Sequence, residues 1–325
     1  MAKPETKRRL AFAMRLVLSC GLLAVLIAKV PDLDGLVPNT HRGRAILFLV
    51  VALALAVVGV GLSAWRWQRV FIALGVEVQL RALISIYLAS SFVGNVLPST
   101  IGGDVLRVSR VGSRVGSTQV AFASVALERL SGFIALPILV FIGFALRPSL
   151  LDVDHAILGL LVGVIALAVL ALIIFLAGHP RLAGRFTDNE NWTRFLGAAH
   201  TGVIEFRRAP LRTFEVLLTA MIYQASVIAC VVLISAAMDL DLPIAALVAF
   251  VPAVAMVQVL PLSISGLGVR EGLLVYFLTP LGITRGHSIS LGLLWYASML
   301  LTSALGAPSF LAGHRSTAFK SSPAA

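Results

Sequence analysis

The stretch Val96-Leu97-Pro98-Ser99-Thr100-Ile101-Gly102-Gly103-Asp104-Val105-Leu106-Arg107 recurs 163 residues later as Val259-Leu260-Pro261-Leu262-Ser263-Ile264-Ser265-Gly266-Leu267-Gly268-Val269-Arg270. Six of the twelve positions are identical, Thr100 lies over Ser263, and just upstream Asn95 lies over Gln258. Proline removes a backbone donor and glycine tolerates open conformations. Pro98 with Gly102 and Gly103, and Pro261 with Gly266 and Gly268, are therefore each expected to interrupt a helix.

The surroundings of the two copies decide the class of fold. Of the 325 residues 59% are hydrophobic and 13% charged, against about 45–50% and about 25% in soluble domains. Ala45 to Ala64, Ala156 to Ala177, Val216 to Met238 and Ser288 to Ala312 each lack Asp, Glu, Lys and Arg. About 20 such residues match the roughly 30 Å hydrocarbon core of a bilayer. Leu10 to Val30 follows Lys7-Arg8-Arg9 and ends in Ile27-Ala28-Lys29-Val30-Pro31 without a small-x-small site, so it reads as an uncleaved anchor rather than a signal peptide. Val120 to Leu146 is apolar apart from Glu128 and Arg129. The expectation is an all-α polytopic membrane protein of six full spans, with two broken or re-entrant elements at Ala82 to Gly103 and Leu242 to Val269.

Each broken element lies between two spans, giving repeat units of about 45–146 and 214–312. The single helix Ala156 to Ala177 between them inverts the second unit. This is an inverted-topology repeat, an arrangement common in transporters. Chance agreement between two Pro- and Gly-bearing helices is the alternative, and the matching flanks and crossing parity argue against it. Residues 1–312 then form one transmembrane domain, with 313–325 a disordered tail.

With both termini in the cytoplasm, 19 of the 26 Lys and Arg residues fall on cytoplasmic segments, Arg66, Arg69 and Arg81 among them. The positive-inside rule is thus satisfied in a cell membrane, and it accounts for the net charge of +11 without nucleic acid as a partner. The loop from Gly178 to Thr213 reads as a topogenic loop or as one lying on anionic lipid. Cys20 and Cys230 sit among apolar neighbours and imply neither disulfide nor metal. No two of the six histidines stand at helical spacing, and no cofactor is expected.

Polar groups at the breaks carry the functional reading. An opened helix leaves backbone groups unpaired, which is tolerated at membrane depth only beside protein or a watery cavity. Asn95, Ser99, Thr100, Ser263 and Ser265 can satisfy those groups or meet a headgroup. Asp104 and Arg107 follow the first break and Arg270-Glu271 the second, while Glu128-Arg129 lies within an apolar span. A mid-helix charge costs about 2.5–3.5 kcal/mol on insertion scales, so it faces a partner or an aqueous cavity. Glu128 and Arg129 point about 100° apart and so have different partners. Two readings stand: charges that lock the bundle, or guanidinium groups that hold a phosphate. Trp65, Trp67, Tyr87, Trp295 and Tyr296 read first as interface or packing aromatics.

These motifs resemble the lysylphosphatidylglycerol synthase transmembrane family. The resemblance rests on Ser91 to Ser99 continuing into Gly102-Gly103-Asp104 and Arg107, on Glu128-Arg129-Leu130, and on Pro261-Leu262-Ser263 with Gly266 to Gly272. It covers about residues 10–312. In the full-length synthases of that family the membrane region is regarded as a flippase for the modified lipid. Because only Gly313 to Ala325 follows the last span, no aminoacyl-transferase domain is expected on this chain. The resemblance thus implies a lipid flippase or transporter rather than an enzyme, its substrate a membrane lipid, with a separate lipid-modifying enzyme as a partner. Asn95, Pro98, Ser99, Gly102, Gly103, Asp104, Arg107, Glu128, Arg129, Pro261, Ser263, Gly266, Gly268, Arg270 and Glu271 are its expected translocation site. The rivals are a membrane-embedded transferase acting on a lipid-linked substrate and a non-transporting partner of another enzyme.

Overall fold

The computed structural model describes residues 42–96, 102–178, 209–259 and 265–318. These are helical and contain no strand. Numbered in chain order, the helices are α1 Arg42–Ala73, α2 Leu80–Val96, α3 Gly102–Val115, α4 Thr118–Leu146 and α5 Ala156–Gly178, then α6 Pro210–Ala237, α7 Ile244–Gln258, α8 Val269–Leu278, α9 Arg285–Ala304 and α10 Ala307–Ala318. Five segments are long and apolar enough to cross a membrane: Arg42–Ala73, Thr118–Leu146, Ala156–Ile173, Pro210–Ala237 and Arg285–Ala312. They coincide with the spans expected there, and the expected span at Leu10 to Val30 lies outside the described residues. The chain is a multi-pass membrane protein. Its long helices expose large aliphatic side chains in rows, among them Ile46, Leu47 and Val50 on α1 and Ile157, Leu161, Val164 and Ile165 on α5. Soluble proteins avoid such patches; here they are faces suited to lipid.

The expected broken element at Ala82 to Gly103 holds most of α2 and the start of α3, and that at Leu242 to Val269 holds α7 up to the start of α8; residues 97–101 and 260–264 at the breaks lie outside the described residues. Helix ends follow local chemistry. α1 stops where Gly75 turns left-handed at φ +74°, with Gly75 N–H donating to Ile72 O and Val76 N–H to Phe71 O, the paired bonds of a Schellman cap. α6 ends the same way with Asp239 in the left-handed position. Gly306 and Pro308 divide the expected last span into α9 and α10, because proline is tolerated in a first turn but not in a helix interior. α10 runs on to Ala318, so residues 313–318, expected as part of a disordered tail, are helical.

The chain divides into two compact units that do not coincide with the sequence repeats. One, the Trp67 unit, comprises Val57–Ile134, Ala168–Tyr223 and Leu300–Ala325. Its core joins Trp67 and Phe71 of α1, Leu83 and Ile86 of α2, Val111 of α3, and Ala121 and Val125 of α4. The other, the Phe250 unit, comprises Met1–Ala56, Ala135–Leu167 and Gln224–Met299. There Phe250 of α7 stacks on Phe277 of α8 at 4.8 Å, and Phe144 of α4 meets Phe250 edge-on at 5.9 Å.

Candidate functional site

Asp104 and Arg107 stand three residues apart on α3, on one face of the helix. Arg107 is 3% exposed, and its Nη1 donates to Glu128 Oε2 of α4 at 3.0 Å. Glu128, 1% exposed, also accepts a hydrogen bond at Oε1 from Arg66 Nη2 of α1. One buried carboxylate thus joins two buried guanidinium groups. Aromatic faces complete the enclosure: Arg107 lies 4.1 Å from the ring centre of Trp67 and 4.8 Å from that of Tyr87, and Arg66 lies 4.9 Å from Tyr223. Such faces attract cations by their quadrupole. Trp67 is fixed in turn, its indole N–H donating to Ser124 Oγ at 3.0 Å while Ser124 donates to Ala121 O. Nε and Nη1 of Arg66, and Nε and Nη2 of Arg107, have no hydrogen-bond partner among the described residues.

Arg129 points elsewhere, as its position next to Glu128 requires. Its Nη2 meets Asp104 Oδ2 at 2.6 Å, and Asp104 Oδ1 lies 3.7 Å from Arg107 Nη1. The result is an alternating ladder, Arg66, Glu128, Arg107, Asp104, Arg129, whose side chains pass from 5% exposed at Arg66 to 46% at Arg129. Three cations and two carboxylates leave it one positive charge in excess.

The exposed end of the ladder closes one end of a groove of about 920 Å³ between α3 and α4. Residues 104, 108 and 112 recur every fourth position along α3 and, with Gly116 just past its end, line it opposite 118, 122, 125 and 129 of α4. Val105, Val108, Phe122, Val125 and Ala126 make apolar walls, and Ser109, Ser113 and Thr118 add hydroxyls. The groove thus has a charged end and apolar walls.

In the Phe250 unit Arg270 of α8, which aligns with Arg107 in sequence, is fully buried. Its Nε and Nη2 donate to Glu271 Oε1 at 3.1 and 2.8 Å. Glu271 Oε2 accepts the Gly268 N–H at 2.6 Å, so this carboxylate also caps α8. Trp295 and Tyr296 of α9 lie 5.6 and 4.7 Å from the Arg270 guanidinium. Gly292 of α9 leaves room for Glu271, whose Cγ would stand 3.0 Å from an added Cβ. The backbone before α8 is open as expected, with Ser265, Gly266 and Gly268 at φ +51°, +75° and +82°.

The structure therefore gathers Asp104, Arg107, Glu128 and Arg129 in one cluster and Arg270 and Glu271 in another. Asn95 lies half-buried one residue from the end of α2. Pro98, Ser99, Pro261 and Ser263 lie outside the described residues. Gly102 and Gly103 begin α3 rather than forming open backbone, and Gly103 is needed for proximity: an added Cβ would stand 2.8 Å from Ser90 O. Arg66, grouped by sequence with the topogenic cations, is a buried member of the site. Its only sequence signal is a lone charge between Trp65 and Trp67 at the end of an uncharged span. Trp67, Tyr87, Trp295 and Tyr296, read as interface or packing aromatics, flank the buried guanidinium groups.

The family profile described as the lysylphosphatidylglycerol synthase TM region matches residues 12–306. The chain belongs to the lysylphosphatidylglycerol synthase transmembrane family. Both clusters and the groove fall within the matched region of this family member. No curated protein and no solved structure gives a significant match. Membership makes the chain a lipid-related membrane protein.

Proposed function

We propose that the chain moves an amphipathic lipid with a phosphate-bearing, anionic headgroup between leaflets. The groove between α3 and α4 carries this reading, because apolar walls lead to an exposed arginine in a ladder with one uncompensated positive charge. Arg129 meets the phosphate, a guanidinium being suited to two of its oxygens at once. Arg107 and Glu128 hold the α3–α4 geometry behind it. Family membership and the buried charges support this reading, since ionisable groups inside a membrane bundle mark substrate pathways. Broken helices in two inverted units would expose the site alternately to each leaflet, with both termini cytoplasmic.

The test is lipid movement in reconstituted vesicles of neutral phospholipid holding a trace of fluorescent anionic lipid, followed by chemical quenching of the outer leaflet. Ser109→Trp, which puts a large ring on an exposed groove position, and Arg129→Ala should each slow movement about tenfold or more. Wild-type rates in both variants at unchanged melting temperature would overturn the assignment.

A further inference from the structure

The ion pair between Asp104 and Arg129 differs from every other pair in the ladder. Its partners are 25% and 46% exposed and stand at the charged end of the groove, whereas Arg66, Glu128 and Arg107 are at most 5% exposed. Exposed pairs of this kind contribute little and exchange partners readily. Asp104 also has a second place to go. Its other oxygen is 3.7 Å from Arg107 Nη1, and Nε and Nη2 of Arg107 have no hydrogen-bond partner among the described residues. A modest swing away from Arg129 converts that long contact into a hydrogen-bonded pair.

We infer that Asp104 is an internal competitor of the lipid phosphate: it holds Arg129 until a phosphate displaces it, and then transfers to Arg107. This rests on the lipid reading above and deepens it. The ladder has one positive charge in excess, so a singly charged phosphate at Arg129 brings the assembly to neutrality without removing any carboxylate. Val108, Phe122 and Val125 continue from the charged end as apolar wall, which commits the site to a phosphate attached to a chain rather than to free phosphate. Displacement also carries information inward. When Asp104 moves onto Arg107, it competes with Glu128 for that guanidinium, and Glu128 is the group that ties α1 to α4 through Arg66. Occupancy of an exposed groove is thereby reported to a buried contact between helices.

The experiment is native mass spectrometry of the full-length protein in neutral detergent, titrated with dioleoyl phosphatidic acid, with glycerol 3-phosphate as the chain-free competitor. Asp104→Asn should bind the lipid about threefold or more tightly than wild type, because the competitor loses its charge. Asp104→Glu should stay near wild type, and Arg129→Gln should bind about tenfold more weakly. The gain from Asp104→Asn should vanish in the Arg129→Gln background. Equal or weaker binding by Asp104→Asn at wild-type melting temperature overturns the inference, as does a gain that survives loss of Arg129 or the absence of binding in all variants. Displacement of the lipid by glycerol 3-phosphate at equal concentration overturns the commitment to a chain-bearing ligand. If binding follows this pattern while vesicles show no lipid movement, translocation fails and the displacement stands. If movement is present and Asp104→Asn changes nothing, the reverse holds.

Discussion

Arg107 and Arg270 occupy the same place in two copies of one motif, yet the first belongs to an extended, charged ladder and the second to a closed, neutral pair. Both are buried, both lie against a tryptophan and a tyrosine, and both donate to a buried glutamate. The difference lies in where that glutamate comes from. Arg270 finds it next door at Glu271, which is free to do so because it sits in the first turn of α8 and caps the helix at the same time. Arg107 is farther into α3 and takes its glutamate from α4, 21 residues away. Glu128 then also engages Arg66, and Asp104, aligned with the apolar Leu267 in the second copy, is left to meet the groove. The arginine that ends each of the two similar stretches is thus part of a closed pair in one and the inner end of a ladder that reaches a groove in the other.

The sharpest way to break this contrast is to neutralise the two glutamates. Glu128→Gln strands two buried cations and should destabilise the protein by about 3–5 kcal/mol, read from denaturant or thermal unfolding in detergent. A loss no larger than that from Glu271→Gln would mean that Arg66 contributes nothing to the contrast. Next in size, Gly103→Ala forces a methyl against the Ser90 carbonyl and should cost about 1–3 kcal/mol, because a backbone atom cannot step aside. Unperturbed melting of that variant would show that α2 and α3 are not held at this distance. Smaller still, Arg129→Ala should lower affinity for an anionic lipid about tenfold, roughly 1.4 kcal/mol, while changing stability by less than about 1 kcal/mol. A large stability loss would move Arg129 to the fastening role of Arg270. Least of all, Arg270→Met with Glu271→Gln replaces the pair by an apolar chain and a neutral acceptor that still reaches Gly268. Stability and lipid movement should stay near wild type, and abolished movement with normal folding would make the second cluster a site as well.

Much of the architecture was legible because the bilayer demands long uncharged segments, and those at 45–64, 156–177 and 216–238 match α1, α5 and α6, with α1 longer at both ends and α6 longer at its start. The separate partners of Glu128 and Arg129 followed from their angular separation on a helix. What stayed hidden depends on distant packing. Nothing local to Trp65-Arg66-Trp67 announces a partner 62 residues on, and a cation at the end of a span fits the topological rule equally well. The groove arises only when α3 folds back along α4, so its lining is divided between two helices with no shared pattern. Gly103 reads like the other motif glycines, although its reason is contact with Ser90 and theirs, at Gly266 and Gly268, is positive φ. The last span ends at Ala312 as expected, but the break inside it was hidden because hydropathy runs smoothly through Gly306, where backbone chemistry starts a new helix.

The order in which Arg66, Arg107 and Glu128 occur along the chain has a consequence for biogenesis. Both arginines leave the ribosome before the carboxylate that pairs with them, and Glu128 follows Arg66 by 62 residues. Until it arrives, α1 enters the membrane with an uncompensated charge near one end, at a cost of up to about 2.5–3.5 kcal/mol if that charge reaches the bilayer centre. Arg270 has no such wait, since Glu271 is the next residue made. Nascent chains arrested before residue 128 should therefore remain crosslinkable to the insertion machinery through α1, and chains extended far enough to insert α4 should be released from it.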